Sequence, residues 1–389
     1  DRRHRRTADR TGDFVSVLVV GASAAGLTTV EALRRQGFRD PITVLGAEWH
    51  PPYDRPPLSK QFLYGDWDQD RTHLRPEAML SALEAEFVLG DPAVALDGRT
   101  VETASGRRLT ADTLVIATGL TPRRLPGPDL EGVHVLRTLD DAAALRKSLT
   151  AHCQVVVVGD GVLGAEVAAT ARKLGLAVTL AGPQASLLEA QLGPAVGALL
   201  GELHTAEGVD LRLGTAVAGL TDADGRVNGV LLADGEVLSA DVVVVALGAV
   251  PATDWLEGSG LTIDNGVVCD EYCRAADGIY AAGDVARWQY GESLVRLENR
   301  TNATEQALCV AANILGEQQP YRPVPYFWTD QFRTKIQVHG TPSGDLTVAE
   351  GNLDDRFVAH YREHGRIVGV LGWNAPKQTR VHRQHLLHT

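Results

Sequence analysis

The chain has 389 residues, a formal net charge of −12 and a hydrophobic content of 44%. These values suit a soluble α/β protein of two or three domains, and they exclude a small disulfide-rich module. No apolar run is long enough to span a bilayer, and the four cysteines show no zinc-site or disulfide spacing, so neither a membrane nor a metal is expected and a reducing cytoplasm is the simplest location.

Charge is distributed unevenly along the chain. Residues 1–13 carry five arginines against three aspartates and are expected to form a flexible arm. Residues 321–389 hold nine Lys/Arg against six Asp/Glu, whereas 14–320 hold 23 against 40. A basic tail on an acidic body favours docking of an acidic protein partner over nucleic acid. Uneven surface charge without a partner is the alternative.

The first predicted unit is a strand–turn–helix. The apolar strand near 15–20 ends at Gly21, and a helix follows over 24–36. This pattern is typical of a dinucleotide-binding βαβ unit, in which the helix amides face a pyrophosphate. Ser23 replaces the usual middle glycine, but after a second strand Glu48 stands near where an acid meets a ribose hydroxyl. An ordinary α/β turn is the alternative.

A proline-rich loop follows at residues 51–60. Its four prolines within seven residues fix an extended path, and the loop ends with Ser59 and Lys60 at a predicted helix start. A plain surface linker would fit this composition. A stiff loop that carries Arg55 and Lys60 directly after a βα unit is better explained by contact with a cofactor ring.

The middle of the chain alternates predicted helices and strands. The pattern predicts a helix over 74–87, short strands with glycine turns over 88–119, and a closing strand over 111–119. A crossing rich in Pro and Gly follows at 122–128. Thr138 then caps a helix with acidic residues in its first turn.

The first pattern repeats 138 residues later. Strand 155–158 runs into a complete G-x-G-x-x-G, formed by Gly159, Gly161 and Gly164, and the segment 240–248 mirrors the closing strand 111–119. A repeat on this scale predicts two similar nucleotide-binding domains, one inserted in the other.

The last third of the chain contains one more chemical motif. A short strand at 278–282 runs into Gly283-Asp284, where the aspartate can accept hydrogen bonds from flavin ribityl hydroxyls. A helix over 302–315, a linker over 320–325 and strands near 335–339, 356–361 and 366–371 complete the prediction.

These motifs resemble a known family. The chain is similar to pyridine-nucleotide flavoproteins of the glutathione-reductase fold, and within them to the FAD-dependent NAD(P)H:ferredoxin reductases that include putidaredoxin, rubredoxin and biphenyl-dioxygenase ferredoxin reductases. The similarity runs from about Phe14 to the end. Its most specific motifs are Asp54 to Lys60, Ala117 to Gly119, Ala281 to Ala286, and Phe327 to Gln331.

The resemblance implies an α/β fold with two Rossmann-like domains, the NAD domain inserted in the FAD domain, and a small α+β C-terminal domain. The expected boundaries are 14–122 and 250–322 for the FAD-binding domain, 123–249 for the NAD(P)-binding domain, and 323–389 for the C-terminal interface domain.

The resemblance also implies the site residues. FAD would contact residues of the first fingerprint, the proline-rich loop and the later motifs: Gly21, Ser23, Ala24, Ala25, Glu48, Arg55, Lys60, Ala93, Ala117, Thr118, Gly119, Arg137, Gly283, Asp284, Glu298, Arg300 and Trp328. The nicotinamide nucleotide would contact the second fingerprint and its surroundings: Gly159, Gly161, Val162, Leu163, Gly164, Glu166 and Gly248.

Lys60 and Glu166 are the expected catalytic pair. A flavin that accepts hydride gains negative charge, which a nearby cation stabilises, and a buried lysine in turn needs an acceptor. Two unrelated charges at helix starts are the alternative.

Two positions depart from the family pattern. Ala181 is expected to stand where relatives place the acid that binds the NAD ribose, and no arginine follows closely to bind a 2′-phosphate. NADH is therefore favoured and NADPH stays possible. Arg300 replaces an aromatic residue and would place a cation beside the flavin.

The resemblance implies an enzyme that takes hydride from NAD(P)H and passes single electrons to a ferredoxin-type [2Fe-2S] protein serving an oxygenase or cytochrome P450. Trp328 would lie between flavin and partner, and the chain would be a monomer or homodimer. A redox-sensing flavoprotein like apoptosis-inducing factor is the first alternative. An NADH oxidase or disulfide reductase needs a cysteine beside the flavin, and residues 1–152 contain none. A nucleotide-binding module without enzymatic activity is a further alternative.

Overall fold

The computed structural model describes residues 15–353 and 355–387, so the predicted arm 1–13 lies outside the described residues. The first large sheet has six strands around a parallel core. Their spatial order is Arg274–Ala276, Ile279–Ala281, Thr113–Ile116, Val17–Val20, Ile42–Gly46 and Glu86–Leu89.

The second large sheet repeats this arrangement with five parallel strands. Their order is Asp210–Leu213, Ala177–Gly182, Gln154–Val158, Val242–Val245 and Val133–His134. Its central strand, Gln154–Val158, lies between the second strand of its βαβ unit and the closing strand. In the first sheet, Val17–Val20 lies between the two corresponding strands. The predicted duplication of a nucleotide-binding fold is therefore confirmed.

Burial explains why these segments form strands. All four residues of Val17–Val20 and of Val242–Val245 are buried, as expected for parallel strands covered on both faces. Helix Ala24–Arg35 packs against helix Arg300–Ile314. The remaining helices are Gln61–Tyr64, Glu77–Ser81, Leu139–Ser148, Val162–Lys173, Glu189–Leu192, Pro194–Ala206 and Pro376–His382, with 3₁₀ turns at Pro56–Ser59, Asp70–Thr72, Asp254–Leu256 and Arg383–Leu386.

Two local predictions had different outcomes. Thr138 forms the predicted cap as a complete capping box with Asp141. The helix predicted over 74–87 is wrong: only Glu77–Ser81 is helical, and Glu86–Leu89 is an edge strand paired with Ile42–Gly46. The short helix buries none of its residues, so no apolar face holds it to the core, and the chain turns away through Glu84 at φ 50°.

The chain passes between the two large sheets twice. Leu120–Pro122 leaves the first and Ala249–Pro251 returns to it, and these two strands pair with one another antiparallel. The domain boundaries near 122 and 250 stay a prediction. Three small sheets complete the two units: Ala93–Asp97, Thr100–Thr103 and Arg108–Thr110; Val217–Ala223, Arg226–Leu232 and Val237–Ser239; Val267–Cys269, Ala286–Tyr290 and Ser293–Val295.

The C-terminal part is a five-stranded antiparallel sheet covered by helix Pro376–His382. Its order is Tyr326–Gln331, Thr334–Gly340, Arg366–Trp373, Phe357–Glu363 and Asp345–Gly351. Apolar residues of this sheet share one core with the second large sheet and with Leu58 of the proline-rich loop. The three parts therefore meet at that loop. Within the described residues, no helix combines the length and apolarity that crossing a bilayer needs.

Candidate functional site

A cavity of about 840 Å³ lies between the two large sheets. Both glycine turns, the proline-rich loop, both closing strands and two residues of the C-terminal sheet line it. A second cavity of about 280 Å³ shares Ser23, Arg55, Ala117 and Thr118 with the first and extends towards Ala93 and Trp255. The two cavities therefore adjoin, and we refer to them together as the groove; the larger one has the size of a cofactor site.

All the predicted site residues except Gly164 line this groove. The larger cavity is lined by Ser23, Ala24, Ala25, Arg55, Lys60, Ala117, Thr118, Gly119, Arg137, Gly159, Gly161, Val162, Leu163, Glu166, Gly248, Gly283, Asp284, Glu298, Arg300 and Trp328. The smaller one adds Gly21, Glu48 and Ala93.

Gly21 and Gly159 begin the two turns in the same conformation, with φ of 122° and 124°. A Cβ on Gly21 would overlap the carbonyl oxygen of Ala117, and one on Gly159 would overlap that of Ala246. Gly164 packs directly against the carbonyl of Gly159. Its place in the fingerprint is therefore explained by close packing of helix and turn, not by contact with the groove.

Gly161 differs from these glycines because the space beside it is open. It caps helix Val162–Lys173, lines the larger cavity, and no atom lies within 4 Å of where its Cβ would be. Ser23 caps the first helix at the corresponding place. Each helix thus presents unpaired amides to a cavity, which is the arrangement that binds a pyrophosphate.

Lys60 and Glu166 meet inside the larger cavity. The Lys60 Nζ lies 2.7 Å from Glu166 Oε2, and their side chains are only 12% and 6% exposed. Ser59 Oγ donates to the same carboxylate oxygen at 2.5 Å, and Thr170 Oγ1 donates to the Ser59 carbonyl at 2.7 Å. The structure thus brings the two residues together, and the carboxylate fixes the position of the ammonium.

Hydrogen bonds connect the same carboxylate to the C-terminal sheet. Thr329 Oγ1 donates to Glu166 Oε1 at 2.8 Å, and Gln331 Nε2 donates to Thr329 Oγ1 at 3.1 Å. His204 Nε2 then donates to Gln331 Oε1 at 2.7 Å. Burial lowers the pKa of His204 to about 4, against the raising effect of its bond to Gln331. The imidazole is therefore neutral at physiological pH, and a buried polar chain connects all three parts of the protein.

Glu48 lies in a second polar cluster, at the smaller cavity. Its carboxylate accepts from Arg55 Nη2 at 2.7 Å and from the Tyr53 hydroxyl. Arg55 also donates to the Arg137 carbonyl at 2.6 Å. Arg55 and Tyr53 thus hold one carboxylate oxygen each, and they fix Glu48 in the lining of the smaller cavity.

Arg137 and Asp284 form an ion pair in the lining of the larger cavity. Arg137 Nη2 lies 3.3 Å from Asp284 Oδ2, with side chains 25% and 17% exposed. Burial raises the pKa of Asp284, against the lowering effect of Arg137. Burial also lowers the pKa of the Arg137 guanidinium. This imperfect pairing leaves both groups with free hydrogen-bonding capacity towards the cavity.

Arg300, the cation predicted to lie beside the flavin, lines the larger cavity. Its Nε donates to Asp54 Oδ1 at 2.5 Å, and its Nη1 donates to Thr304 Oγ1. Arg300 therefore lines the cavity as half of an ion pair with the first residue of the Asp54 to Lys60 motif, and not as an isolated charge.

Glu298 and Trp328 occupy the remaining edge of the cavity. Glu298 Oε1 pairs with Arg296 Nη2 at 2.7 Å. Trp328 stacks on Tyr326, with ring centroids 6.0 Å apart and an interplanar angle of 21°. The indole is thus held by the C-terminal sheet while it lines the cavity.

Sequence reasoning missed Asp160, the second residue of the complete glycine fingerprint. Its carboxylate lines the larger cavity and accepts from Gln184 N at 2.7 Å and Gln184 Nε2 at 2.6 Å. Gly182 is the last residue of strand Ala177–Gly182, and a Cβ on it would overlap this carboxylate. The Asp160 carboxylate therefore lies at the end of the strand, where a side chain of Gly182 would be. Ala181, at which the sequence predicted the missing acid, is fully buried. A charged residue between the first two fingerprint glycines was the available signal.

Cysteine chemistry is not part of the groove. All four cysteines are free and buried, and none of the described residues that line the two cavities is a cysteine. A disulfide reductase or cysteine-dependent NADH oxidase site is therefore not formed by these lining residues.

Comparison with known proteins matches both regions of the chain. Residues 15–307 match the pyridine nucleotide-disulphide oxidoreductase family, and residues 326–389 match a reductase C-terminal domain. Rhodocoxin reductase from Rhodococcus erythropolis is 38% identical over 381 residues, covering 96% of this chain and 89% of that protein. The ferredoxin–NAD(+) reductase component of a p-cumate 2,3-dioxygenase system from Pseudomonas putida is 35% identical, covering 96% and 93%.

A solved structure supports the same assignment. The covalent putidaredoxin reductase–putidaredoxin complex matches with a TM-score of 0.90 and 34% identity, covering 96% of this chain and 93% of that one. The predicted fold class and family are confirmed. The chain therefore belongs to the pyridine nucleotide-disulphide oxidoreductase family and, within it, to the ferredoxin reductases.

Proposed function

We propose that this protein is an FAD-dependent reductase that takes hydride from NADH and passes electrons singly to a ferredoxin-type iron–sulfur protein. One observation carries the proposal. A single cavity receives both glycine turns and holds the buried Lys60–Glu166 pair between them. Two nucleotides can therefore meet beside one fixed cation, which is the requirement for transfer between them.

The groove fits the cofactors that the family implies, FAD and NAD(H). The amides at Ser23 would hold the FAD pyrophosphate, and Glu48 is placed to accept from the adenosine ribose. Arg137 and Asp284, whose mutual pairing is imperfect, have hydrogen-bonding capacity for the ribityl and ring atoms. FAD, when bound, supplies an acceptor of two electrons that releases them one at a time.

Lys60 is the proposed electrostatic catalyst. Its ammonium would supply positive charge where negative charge develops during hydride transfer, and its side chain is only 12% exposed, so water screens this charge little. Glu166 and Ser59 fix its position, so little reorganisation is needed at the moment of reaction. Glu166 is the proposed positioning residue, because its two oxygens bond to the proline-rich loop on one side and to Thr329 on the other.

The nicotinamide nucleotide would use the second turn, with its pyrophosphate at Gly161 and Val162. We assign NADH as the donor, because Asp160 places a carboxylate at the strand end where a dinucleotide ribose lies in this fold. A carboxylate accepts from ribose hydroxyls and repels a 2′-phosphate. NADPH stays the weaker alternative.

The relatives suggest the electron acceptor. Those matched here are a rhodocoxin reductase, a reductase component of a dioxygenase system, and a putidaredoxin reductase in covalent complex with putidaredoxin. We propose that a ferredoxin-type protein serving an oxygenase or cytochrome P450 docks near Trp328, against the basic C-terminal part. Docking to a basic surface predicts a ferredoxin-dependent rate that falls as salt rises. We also propose that the protein is cytoplasmic and that it is a monomer or a homodimer.

The test is an anaerobic titration of the purified yellow protein with NADH and with NADPH, followed by cytochrome c reduction with and without ferredoxin. We expect rapid bleaching of the flavin band by NADH and ferredoxin-dependent turnover. Slow bleaching without ferredoxin dependence would favour the redox-sensing alternative. Hydrogen peroxide formed at the full rate of NADH consumption would favour an oxidase, and colourless protein that takes up no flavin would overturn the proposal.

A further inference from the structure

Three histidines in the C-terminal part form a cluster outside the groove. We propose that His360, His382 and His385 bind one divalent transition-metal ion, with Zn²⁺ as the expected occupant. One ligand nitrogen from each residue lies within 4.8 Å of the others. None of the three lines either cavity, so the proposed site is separate from the redox site.

The fold brings these side chains together from three elements. His360 lies on strand Phe357–Glu363 and is 6% exposed, whereas His382 ends helix Pro376–His382 and His385 lies in the 3₁₀ turn Arg383–Leu386. A spacing of three residues places His382 and His385 on one face of this helical segment. That face covers His360, and the three ring centroids lie 4.9 to 5.8 Å apart.

Two of the ligand nitrogens are close neighbours. His360 Nε2 lies 2.8 Å from His382 Nδ1. The other nitrogen of His382, Nε2, lies 3.4 Å from Glu350 Oε2. A carboxylate at Nε2 favours the tautomer with its proton there, and this leaves the lone pair of Nδ1 directed towards His360. Histidine ligands of protein metal sites commonly have such a carboxylate partner.

Small movements would complete the coordination. Two ligands of a tetrahedral zinc ion at about 2.05 Å are separated by about 3.3 Å, so His360 and His382 need to part by about half an ångström. His385 is exposed and can rotate inward without disturbing the core. Three imidazoles leave a fourth position for water, and neutral nitrogen donors suit Zn²⁺, Ni²⁺ or Cu²⁺ better than Mg²⁺ or Ca²⁺.

The expected effect is on stability and not on turnover. A metal held by His360 on the sheet and by two residues of the covering segment would fasten residues 376–387 to the sheet. Binding to the folded state alone stabilises it in proportion to the logarithm of ligand concentration. The expectation that no metal binds was based on cysteine spacing. It did not take this cluster into account, because His360 is remote in sequence from the other two histidines.

The test uses the full flavoprotein after chelator treatment and dialysis, with ZnCl₂ in isothermal titration calorimetry and in thermal unfolding. The cluster variants are His382→Gln and His385→Asn, and the matched control is His364→Asn, which removes an exposed histidine from the turn between two strands of the same sheet. Glu350→Gln tests the carboxylate partner. A parallel titration with Co²⁺ reports tetrahedral coordination through its visible absorption.

We expect one Zn²⁺ per chain, a Tm that rises with ZnCl₂, and a cobalt spectrum typical of tetrahedral ligands. Each histidine variant should abolish the rise in Tm, Glu350→Gln should weaken binding by about tenfold, and His364→Asn should match the wild type. Zinc binding that survives both cluster variants, or a wild-type Tm that ignores zinc, would overturn the proposal.

Discussion

The ammonium of Lys60 lies 2.7 Å from the carboxylate of Glu166, although 106 residues separate them in the chain. The lysine is the last residue of the proline-rich loop and the glutamate lies on helix Val162–Lys173, so the ion pair joins the two nucleotide-binding units. Because both side chains are nearly buried, each charge depends on the other for its stability.

Removal of either charge should harm both stability and catalysis. We expect Lys60→Met and Glu166→Gln each to lower the free energy of unfolding by about 3 kcal/mol, because each leaves a buried partner unpaired. Lys60→Met should also slow hydride transfer by about 100-fold. Urea unfolding and stopped-flow reduction by NADH measure the two effects.

The double variant Lys60→Met/Glu166→Gln separates these effects. It removes both charges and should recover much of the stability without recovering the rate. A Lys60→Met protein that is reduced within twofold of the wild-type rate would show that Lys60 has only a structural role.

The glycines of the second turn should differ in what they tolerate. Gly159→Ala should destabilise the fold by about 3 kcal/mol or more, because its Cβ would overlap the Ala246 carbonyl at a positive φ. Gly161→Ala, at φ −84° with open space, should fold normally but raise the KM for NADH about tenfold, since the methyl group enters the space proposed for the pyrophosphate. Equal KM values for wild type and Gly161→Ala would place the pyrophosphate elsewhere.

Asp160 should determine the choice of nucleotide. Asp160→Asn removes the negative charge but keeps the shape, and we expect kcat/KM for NADH to fall about tenfold while that for NADPH stays constant or rises. Asp222→Asn, at an exposed hairpin position, is the matched control and should leave both values unchanged. Steady-state kinetics with each nucleotide measure the ratio. An unaltered ratio in Asp160→Asn would assign ribose selection to another residue.

Arg300 should influence the cofactor potential. Arg300→Met removes the cation and leaves Asp54 without its partner, so the cavity becomes more negative. We expect a midpoint potential lower by roughly 30 mV, equivalent to about 1.4 kcal/mol for two electrons. Redox titration against a reference dye measures it. Arg300→Met/Asp54→Asn should return close to the wild-type value, whereas equal shifts in the single and double variants would contradict an electrostatic cause.

His204 should make the protein sensitive to acid. Its folded pKa is about 4 because of burial, and its ordinary value is 6.5. Below pH 6.5 the unfolded chain binds a proton that the folded chain excludes, so stability is unaffected above pH 6.5 and falls towards pH 4 by about 1.4 kcal/mol per pH unit. His204→Gln should reduce this slope in urea unfolding at pH 7, 6 and 5. His364→Gln should keep it, since the buried imidazole stays in place. A wild-type slope in His204→Gln would assign the acid sensitivity to other groups.

Local patterns predicted the fold well, because the glycine fingerprints and the buried valine strands are set by short-range chemistry. The same turn occurs twice with the same backbone angle at Gly21 and Gly159, which the repeat of 138 residues had indicated. The helix predicted over 74–87 was wrong because the only helical residues, Glu77–Ser81, are not buried, whereas the core contacts of this stretch are made by Leu74, Leu83, Ala85 and Phe87 outside the helix. This division depends on the tertiary arrangement.

The site was predicted less completely, for physical reasons. The resemblance placed Lys60 beside Glu166, but no local pattern indicates that Thr329, Gln331 and His204 continue the hydrogen-bonded chain. Likewise, the pairing of Arg300 with Asp54 joins residues 246 positions apart. Asp160 was missed because the acid that binds the ribose was expected in strand Ala177–Gly182 itself. The Asp160 side chain reaches the end of this strand from the neighbouring glycine turn.

The buried bonds from Glu166 through Thr329 to Gln331 and His204 also restrict how the protein can be recombined with its relatives. A chimera that exchanges the C-terminal sheet at the 320–325 linker would bring new residues to positions 329 and 331 while the recipient keeps its own 166 and 204. Mismatched partners there would leave buried polar groups without acceptors, at about 1–3 kcal/mol each. Successful hybrids should therefore transfer all four positions as one unit, even though only two of them lie in the exchanged segment.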